Sequence, residues 1–590
     1  MSEQQIPIAE LRARAERWLA EDPDPGTRSE LERVLEKGDA GELAERFGAR
    51  LEFGTAGLRG ILGAGPNRMN RALVRRVTAG LARYLLRVQP DVVRRGVVVG
   101  RDGRHMSSEF AADTAAVLAG AGVPAHVFPD VVPTPVTAFA VGALGAAAGV
   151  VITASHNPPA YNGYKVYWGN GAQIIPPHDR GISAAIDEVG QISEIPLLDA
   201  ADARARGFLH DVPESLGERY LDEVLALRRH PEAPKDLSFV YTPLHGVGGA
   251  WVERAFRRAG FRKLHVVPEQ AEPDGDFPTV QFPNPEEKGA MDLALALAER
   301  TEADLILAND PDADRLAVVL RDTGGRPLPL TGNQIGTLLA YYLLTENPPR
   351  GADPVVITTI VSSSLLRRMA RELGARYDET LTGFKWIANR AMDLKRERGW
   401  RFIFGFEEAL GYSVGELVRD KDGIGAALVF ADLAAFCRSR GATVAAYLQA
   451  IFRRFGLYVS SQRSLTLPGA EGGRVIAGIM DAFRSDPPGA LAGVKVTSRS
   501  DLEAGETVTA AGGGPRALDL PRSNVLVYEL EDGSRVLLRP SGTEPKIKYY
   551  FEAVEPFPEG EEFTVVETRA AERLGRLENG FLQEAERRRS

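Results

Sequence analysis

Apolar residues fall in two rhythms along this chain. Short valine-rich runs such as Val97-Val98-Val99 alternate with alanine-rich stretches at helical spacing from about residue 50 to 200, which is the signature of βα units in a mainly parallel sheet. Phe239-Val240-Tyr241 and His265-Val266-Val267 open a second unit that closes with Leu305 to Ala308. A third holds Val355 to Thr359 and Phe402-Ile403-Phe404. The pattern then changes. Val525 to Tyr528, the turn Asp532-Gly533 and Arg535 to Leu538 predict an antiparallel hairpin. A further strand from Lys546 to Phe551 and a helix near 562 to 580 complete a small α+β domain, with loops at Pro487-Pro488-Gly489 and Gly512 to Pro515. Residues 8 to 21 read as an amphipathic helix, and Thr27 with Glu30 as the capping box of a second. The expected division is 1–205, 206–325, 326–460 and 461–590: three similar α/β domains with mixed, mainly parallel sheets, then the α+β domain.

Composition narrows the class. The 590 residues exceed one hydrophobic core, and 44% apolar with 26% charged residues is the balance of a soluble globular enzyme. A net charge of −9 argues against a nucleic-acid partner but leaves room for a local basic pocket that takes a phosphorylated metabolite. The one cysteine, Cys437, sits in a helical run and is expected to be buried and inert, which fits a reducing compartment. The first residues lack a signal-peptide pattern, and no run of 18 apolar residues exists. A cytoplasmic chain without a membrane span is expected.

Chemistry gathers in four segments. Thr153-Ala154-Ser155-His156-Asn157-Pro158 follows the apolar run Gly149 to Ile152 and supplies a hydroxyl where a strand ends. A simple helix cap is the plain alternative. His156 could orient a phosphoryl oxygen or merely bond to backbone. Lys165 is a candidate for moving a proton between a sugar hydroxyl and a phosphoserine. With an ordinary pKa of about 10.4 it needs desolvation or a cationic neighbour to serve as a base. Asp310-Pro311-Asp312-Ala313-Asp314-Arg315 follows the run Leu305 to Ala308. Crowded carboxylates repel unless a hard divalent cation lies among them, with Mg²⁺ the default beside phosphate; the alternative is a solvated acidic loop. Arg315 could pair with a carboxylate or reach a substrate phosphate. Glu407 and Glu408, after the strand Phe402 to Phe404, are placed to accept hydrogen bonds from vicinal sugar hydroxyls. Arg539-Pro540-Ser541-Gly542-Thr543-Glu544-Pro545-Lys546 combines guanidinium, hydroxyls, flexible glycine backbone and ammonium between two strands, as the holding of a phosphate dianion requires.

In this order the four segments resemble the α-D-phosphohexomutase superfamily over nearly the whole chain. The resemblance implies four domains around a deep central cleft. Ser155 becomes the phosphoserine and a metal ligand with Asp310, Asp312 and Asp314, while Arg539, Ser541, Gly542, Thr543 and Lys546 hold the substrate phosphate. It also places Glu52 to Gly60 in the cleft wall, with Thr55 as a substrate contact and Arg59 near the reacting phosphoryl group, and it makes Lys385 and Lys421 phosphate or hydroxyl contacts. One departure stands out. Ala409 replaces a serine of the animal phosphoglucomutases, and the loop starts with an additional Phe406, a form similar to the subgroup with phosphopentomutases, glucose-bisphosphate-forming enzymes and bacterial phosphoglucomutases. The implied reaction is the interconversion of α-D-glucose 1-phosphate and 6-phosphate, with glucose 1,6-bisphosphate as intermediate and primer. Mannose or pentose phosphates, bisphosphate synthesis, phosphatase activity and a non-catalytic sugar-phosphate binder are the alternatives. The partners implied are phosphorylated monosaccharides, and the expected state is a monomer or weak homodimer.

Overall fold

The computed structural model describes residues 6–54, 57–322, 324–348, 353–467, 469–512, 514–541 and 546–589. They form two compact units, Met1–Ile335 with Phe384–Gly441, and Gly336–Gly383 with Ala442–Ser590.

The first unit begins with helices Ile8–Glu21, Pro25–Lys37 and Ala40–Phe47, which close on Leu11, Ala15, Leu31, Val34, Leu43 and Phe47. The expected Thr27–Glu30 capping box is not formed. Pro25 starts the second helix earlier, its fixed φ being suited to a first turn, and Asp24 caps it by accepting from the N–H of Gly26 and Thr27. Glu30 is drawn away to the Ala64 N–H and to Arg46.

A six-stranded sheet follows, in the order Leu58–Ile61, Tyr161–Trp168, Ala148–Ile152, Val97–Arg101, Ala125–Val127, Leu209–Asp211. The last four strands pair in parallel, and Tyr161–Trp168 is antiparallel to both of its neighbours. Period-two alternation sends Val97, Val99, Val150 and Ile152 into one core with helices Arg71–Val88 and Ser107–Gly120. On the other face helix Thr134–Leu144 lies so close that only glycine fits: a Cβ on Gly149 would stand 2.5 Å from Val141 Cγ2. The helix start is thereby pinned near the carboxyl ends of these strands, where open α/β sheets place ligands.

The five-stranded sheet runs Pro327–Pro329, Ala317–Arg321, Leu305–Ala308, Ser238–Thr242, Lys263–Val266, with the last three strands paired in parallel and Ala317–Arg321 antiparallel to both of its neighbours. The same unit holds the antiparallel pair Arg401–Glu407 and Gly411–Val414 and helix Gly423–Ser439, in which Cys437 is buried. The strand expected to stop at Phe404 continues to Glu407, because Glu407 pairs with Gly411 and leaves only Glu408, Ala409 and Leu410 in the turn.

In the second unit, strands Pro354–Thr359 and Arg376–Thr380 pair in parallel. The predicted hairpin is present as Leu526–Leu530 and Arg535–Pro540, within an antiparallel sheet that also holds Leu457–Thr466, Lys546–Glu555 and Val494–Asp501. Its core is closed by helices Gly469–Ser485 and Phe563–Arg587 through Ile479, Met480, Phe483 and Phe581.

Candidate active site

The serine loop starts where strand Ala148–Ile152 runs out. The Ser155 N–H turns back to Thr153 Oγ1 at 2.8 Å, and Ser155 itself adopts a left-handed backbone with φ 54°. For a residue with a Cβ this costs about 1–3 kcal/mol and persists only where the surroundings impose it. Arg104 is the restraint. Its guanidinium donates to the carbonyls of Ser155 (2.6 Å), Asn157 (2.5 Å), Pro158 (2.9 Å) and Tyr161 (3.2 Å). Arg104 is buried, beside Asp102 at 3.3 Å and over the ring of Phe277 at 4.8 Å. Arg59, on strand Leu58–Ile61, donates to Asn157 Oδ1 at 3.0 Å. It is thus beside the serine loop.

The acidic loop meets this serine directly. The Ser155 hydroxyl donates to Asp310 Oδ2 at 2.9 Å. Asp310, Asp312 and Asp314 are fully buried and offer oxygens within 4.8 Å of one another. Asn309 braces the loop by taking the Tyr241 hydroxyl and giving its amide to the Arg315 carbonyl, while the Arg315 N–H closes on Asp310 Oδ1 at 3.0 Å. Three cations face the cluster: Lys165 lies 2.7 Å from Asp312 and 3.3 Å from Asp314, Lys421 lies 2.9 Å from Asp314, and Arg315 Nε lies 3.8 Å from Asp310. Thr134, first residue of its helix, donates to Asp312 Oδ2 at 2.7 Å.

Electrostatics follow from the crowding. Burial, then Asp314 and Asp312, push the Asp310 carboxyl well above the usual range. Burial would do the same to Asp312, but the Lys165 ammonium outweighs it and holds that carboxyl low. The desolvation and cationic neighbour (Lys421) that Lys165 needed to become a base are both present. Asp312 and Asp314 override them and raise its pKa. The His156 imidazole, 3.3 Å from Ser155 Oγ, is pushed down to about 2, by burial first and then by Arg315 and Arg59, and is neutral at any working pH. Asp312 Oδ1 and Asp314 Oδ1 are buried with no hydrogen-bond partner among the described residues. Unpaired carboxylate oxygens are costly to bury, and a hard, oxygen-preferring cation such as Mg²⁺ relieves that cost. The donor set therefore fits a divalent metal held by Asp310, Asp312, Asp314 and the Ser155 oxygen.

The carboxylate turn is joined to the metal loop through backbone. Arg315 bridges Gly411, and the Leu316 N–H donates to the Leu410 carbonyl at 3.0 Å. Leu410 is left-handed (φ 63°), as is Ala313 (φ 57°). Glu407 and Glu408 are half-buried at this junction. The Lys421 stem crosses Gly411 so closely that a Cβ there would sit 2.4 Å from it. Glu407 is among the carboxylates that hold the Lys421 pKa up against burial. Lys385 is half-exposed in the first turn of helix Phe384–Arg398.

In the second unit, Arg539 pairs across to Lys548, and the Ser541 N–H donates to the Lys546 carbonyl at 2.7 Å. Thr55, Gly542 and Thr543 lie outside the described residues. The sequence reading missed Arg104 and Thr134. The signal for Arg104 was the segment Gly100 to Arg104, which leaves the strand beside that of the serine; Thr134 gave none beyond Pro133 before a helix.

A hydroxyl against a cage of buried carboxylates, each at the end of a sheet strand, is the arrangement of a metal-assisted phosphoryl-transfer site. Models of the phosphoglucomutase/phosphomannomutase family match residues 50–193 (alpha/beta/alpha domain I), 218–325 (domain II), 331–455 (domain III) and 491–563 (C-terminal domain). The chain is 37% identical over 572 residues to a phosphopentomutase of Homo sapiens (93% of this chain, 92% of the relative). It is 35% identical over 591 residues to a glucose 1,6-bisphosphate synthase of Homo sapiens (96% and 93%). Its fold is similar to the open form of pp63/parafusin, a phosphoglucomutase from Paramecium, at a TM-score of 0.68 and 18% identity, covering 91% of this chain and 96% of that one. The chain belongs to the phosphoglucomutase/phosphomannomutase family, within the phosphohexomutase superfamily, and is a phosphosugar mutase. Among the described residues no helix is long and apolar enough to cross a membrane.

Proposed function

We propose that the protein interconverts α-D-glucose 1-phosphate and glucose 6-phosphate through a phosphoryl group carried on Ser155. The observation that carries this reading is the 2.9 Å hydrogen bond from the Ser155 hydroxyl to the buried aspartate cluster. In the first half-reaction the sugar O6 attacks the phosphoserine phosphorus. The O6–P bond forms, the Oγ–P bond breaks and glucose 1,6-bisphosphate results. The proton lost by O6 ends on the serine oxygen or its hydrogen-bonded surroundings. The intermediate turns over, the 1-phosphate transfers back to Ser155, and glucose 6-phosphate leaves. A divalent cation, when bound by Asp310, Asp312, Asp314 and Ser155, supplies charge neutralisation for the leaving oxygen. Lys165 and Arg59 add positive charge beside a phosphoserine of about −1.5 to −2. His156, neutral, orients a phosphoryl oxygen. Glu407 and Glu408 accept from ring hydroxyls. Arg315, Lys385 and Lys421 contact substrate, as does Thr55, while Arg539, Ser541, Gly542, Thr543 and Lys546 hold the phosphate that is not reacting. Glucose 1,6-bisphosphate serves as primer for an enzyme that has lost its phosphoryl group.

A second reading, that the substrate is a pentose phosphate, is favoured by the phosphopentomutase among the relatives. Under it the same steps move a phosphoryl group between the 1- and 5-positions of ribose. The discriminating experiment is a side-by-side mutase assay with glucose, mannose and ribose 1-phosphates, each with a trace of the matching bisphosphate. The first reading expects the highest kcat/KM for glucose; a preference for ribose establishes the second. Accumulating bisphosphate from an acyl phosphate donor would mean synthesis rather than isomerisation, and no isomer from any sugar would refute both readings.

A further inference from the structure

The N-terminal helices, helix Arg71–Val88 and the segments at Pro66 and Ile192 line an open cavity of about 430 Å³ that holds none of the residues assigned above. It is built of one kind of charge. Arg14 and Arg17 come from helix Ile8–Glu21, Arg50 from the segment after the third helix, and Arg76 from helix Arg71–Val88, against a single lining carboxylate, Glu21. The guanidiniums are weakly neutralised. Arg50 pairs with Asp187 at 2.7 Å, but the two side chains are 59% and 49% exposed, and so open a pair gains little. Arg76 donates to the Val189 and Gly190 carbonyls, which fix its plane without cancelling its charge. Arg14 is turned partly to Glu10. Arg17 makes no hydrogen bond or ion pair among the described residues. Glu21 is engaged with the Ile192 N–H at 3.0 Å. Burial pushes the Arg76 pKa down, and Arg50 adds to that against the pull of Glu21. Such a concentration of like charge runs against the acidic balance of a chain with net charge −9.

We propose that this cavity binds an organic phosphate: a small phosphorylated metabolite with its phosphoryl oxygens on Arg17, Arg50 and Arg76 and its carbon body against the half-buried Trp18 indole. Guanidinium forks match phosphate geometry, an indole face takes a sugar or base, and the volume suits a molecule of that size. The cavity has a route to turnover. Arg50 and Pro66 both line it, and the intervening Leu51 N–H donates to the Pro66 carbonyl at 3.0 Å. An occupant therefore braces the base of the segment that carries Arg59.

The test is calorimetric titration of the full-length protein with ATP and with fructose 1,6-bisphosphate, for the wild type and for the double variant Arg17→Glu, Arg50→Glu. At least one probe binds the wild type, and its affinity falls by about tenfold or more in the variant, whose primed mutase turnover in the absence of either probe stays at the wild-type level. Preference between the probes identifies the body as nucleotide or sugar. Arg17→Ala, which removes a side chain with no partner to strand, weakens binding in the same direction and covers the case in which the double variant folds poorly. Binding of neither probe, or equal affinity in wild type and both variants, would overturn the proposal.

Discussion

Ser155 is held in a costly backbone conformation by one arginine. Four carbonyls of its loop converge on Arg104, and removal of that side chain would leave them without their donor. Arg104→Met is therefore expected to lower kcat by about 10- to 100-fold while KM for the sugar phosphate changes less, since the loop geometry and not substrate contact is lost. Arg104→Lys, with the charge but not the fork, restores only part. Steady-state kinetics on the three proteins check this; an unchanged kcat in the methionine variant would show the clamp to be idle. The serine and the aspartates were legible in the sequence because each follows an apolar run with a compact polar segment. Arg104 was not. An arginine in a glycine-containing loop reads as surface until the neighbouring strand is known to be the one that delivers Ser155. Lys165 is a related case: the sequence showed a lysine soon after the serine but not its contacts with Asp312 and Asp314, which raise its pKa.

Between residues and the molecule stand the elements, and here the boundaries were the least legible part. Asp24 rather than Thr27 caps the second helix because Pro25 moves its start. Glu407 belongs to a strand because Gly411 pairs with it. Neither follows from periodicity, which sees faces rather than ends. One cap carries a pH dependence. Asp422 accepts from the Ile424 and Gly425 N–H groups at the start of helix Gly423–Ser439 and from the Tyr220 hydroxyl, and burial raises its pKa to about 6. The folded state thus keeps a proton that the unfolded chain has lost between pH ~4 and ~6. This contribution is fully present below pH ~4 and disappears as the pH rises through 6, a change on the order of 3 kcal/mol. Asp422→Asn, which retains a capping oxygen, should flatten the difference. Urea unfolding of both proteins from pH 4 to 7 measures it; parallel pH curves would contradict the assignment.

For the whole molecule, the fold class, three α/β domains and a distinct C-terminal one, was legible because the change from alternating βα runs to hairpins is visible without any coordinates. The sequence was silent on the cavity at the N-terminal helices, whose arginines come from three separate segments of the chain and meet only through packing. The metal reading has a consequence for stability as well as rate. Three buried carboxylates with two oxygens unpartnered among the described residues are relieved by a divalent cation, so Mg²⁺ should raise the thermal midpoint, with about 2.7 kcal/mol of stabilisation at a concentration 100 times the Kd. Asp312→Asn with Asp314→Asn should abolish the shift, and chelation should stop turnover. A midpoint indifferent to Mg²⁺ in the wild type would count against the cluster as a metal site.

The most direct measurement is on the serine itself. Incubation of the full-length enzyme with glucose 1,6-bisphosphate and Mg²⁺, then peptide mass fragmentation, should place a single phosphoryl group on Ser155, and Ser155→Ala should lose it together with turnover by about 1,000-fold or more. A phosphoryl group found elsewhere, or an alanine variant that turns over like the wild type, would contradict the account.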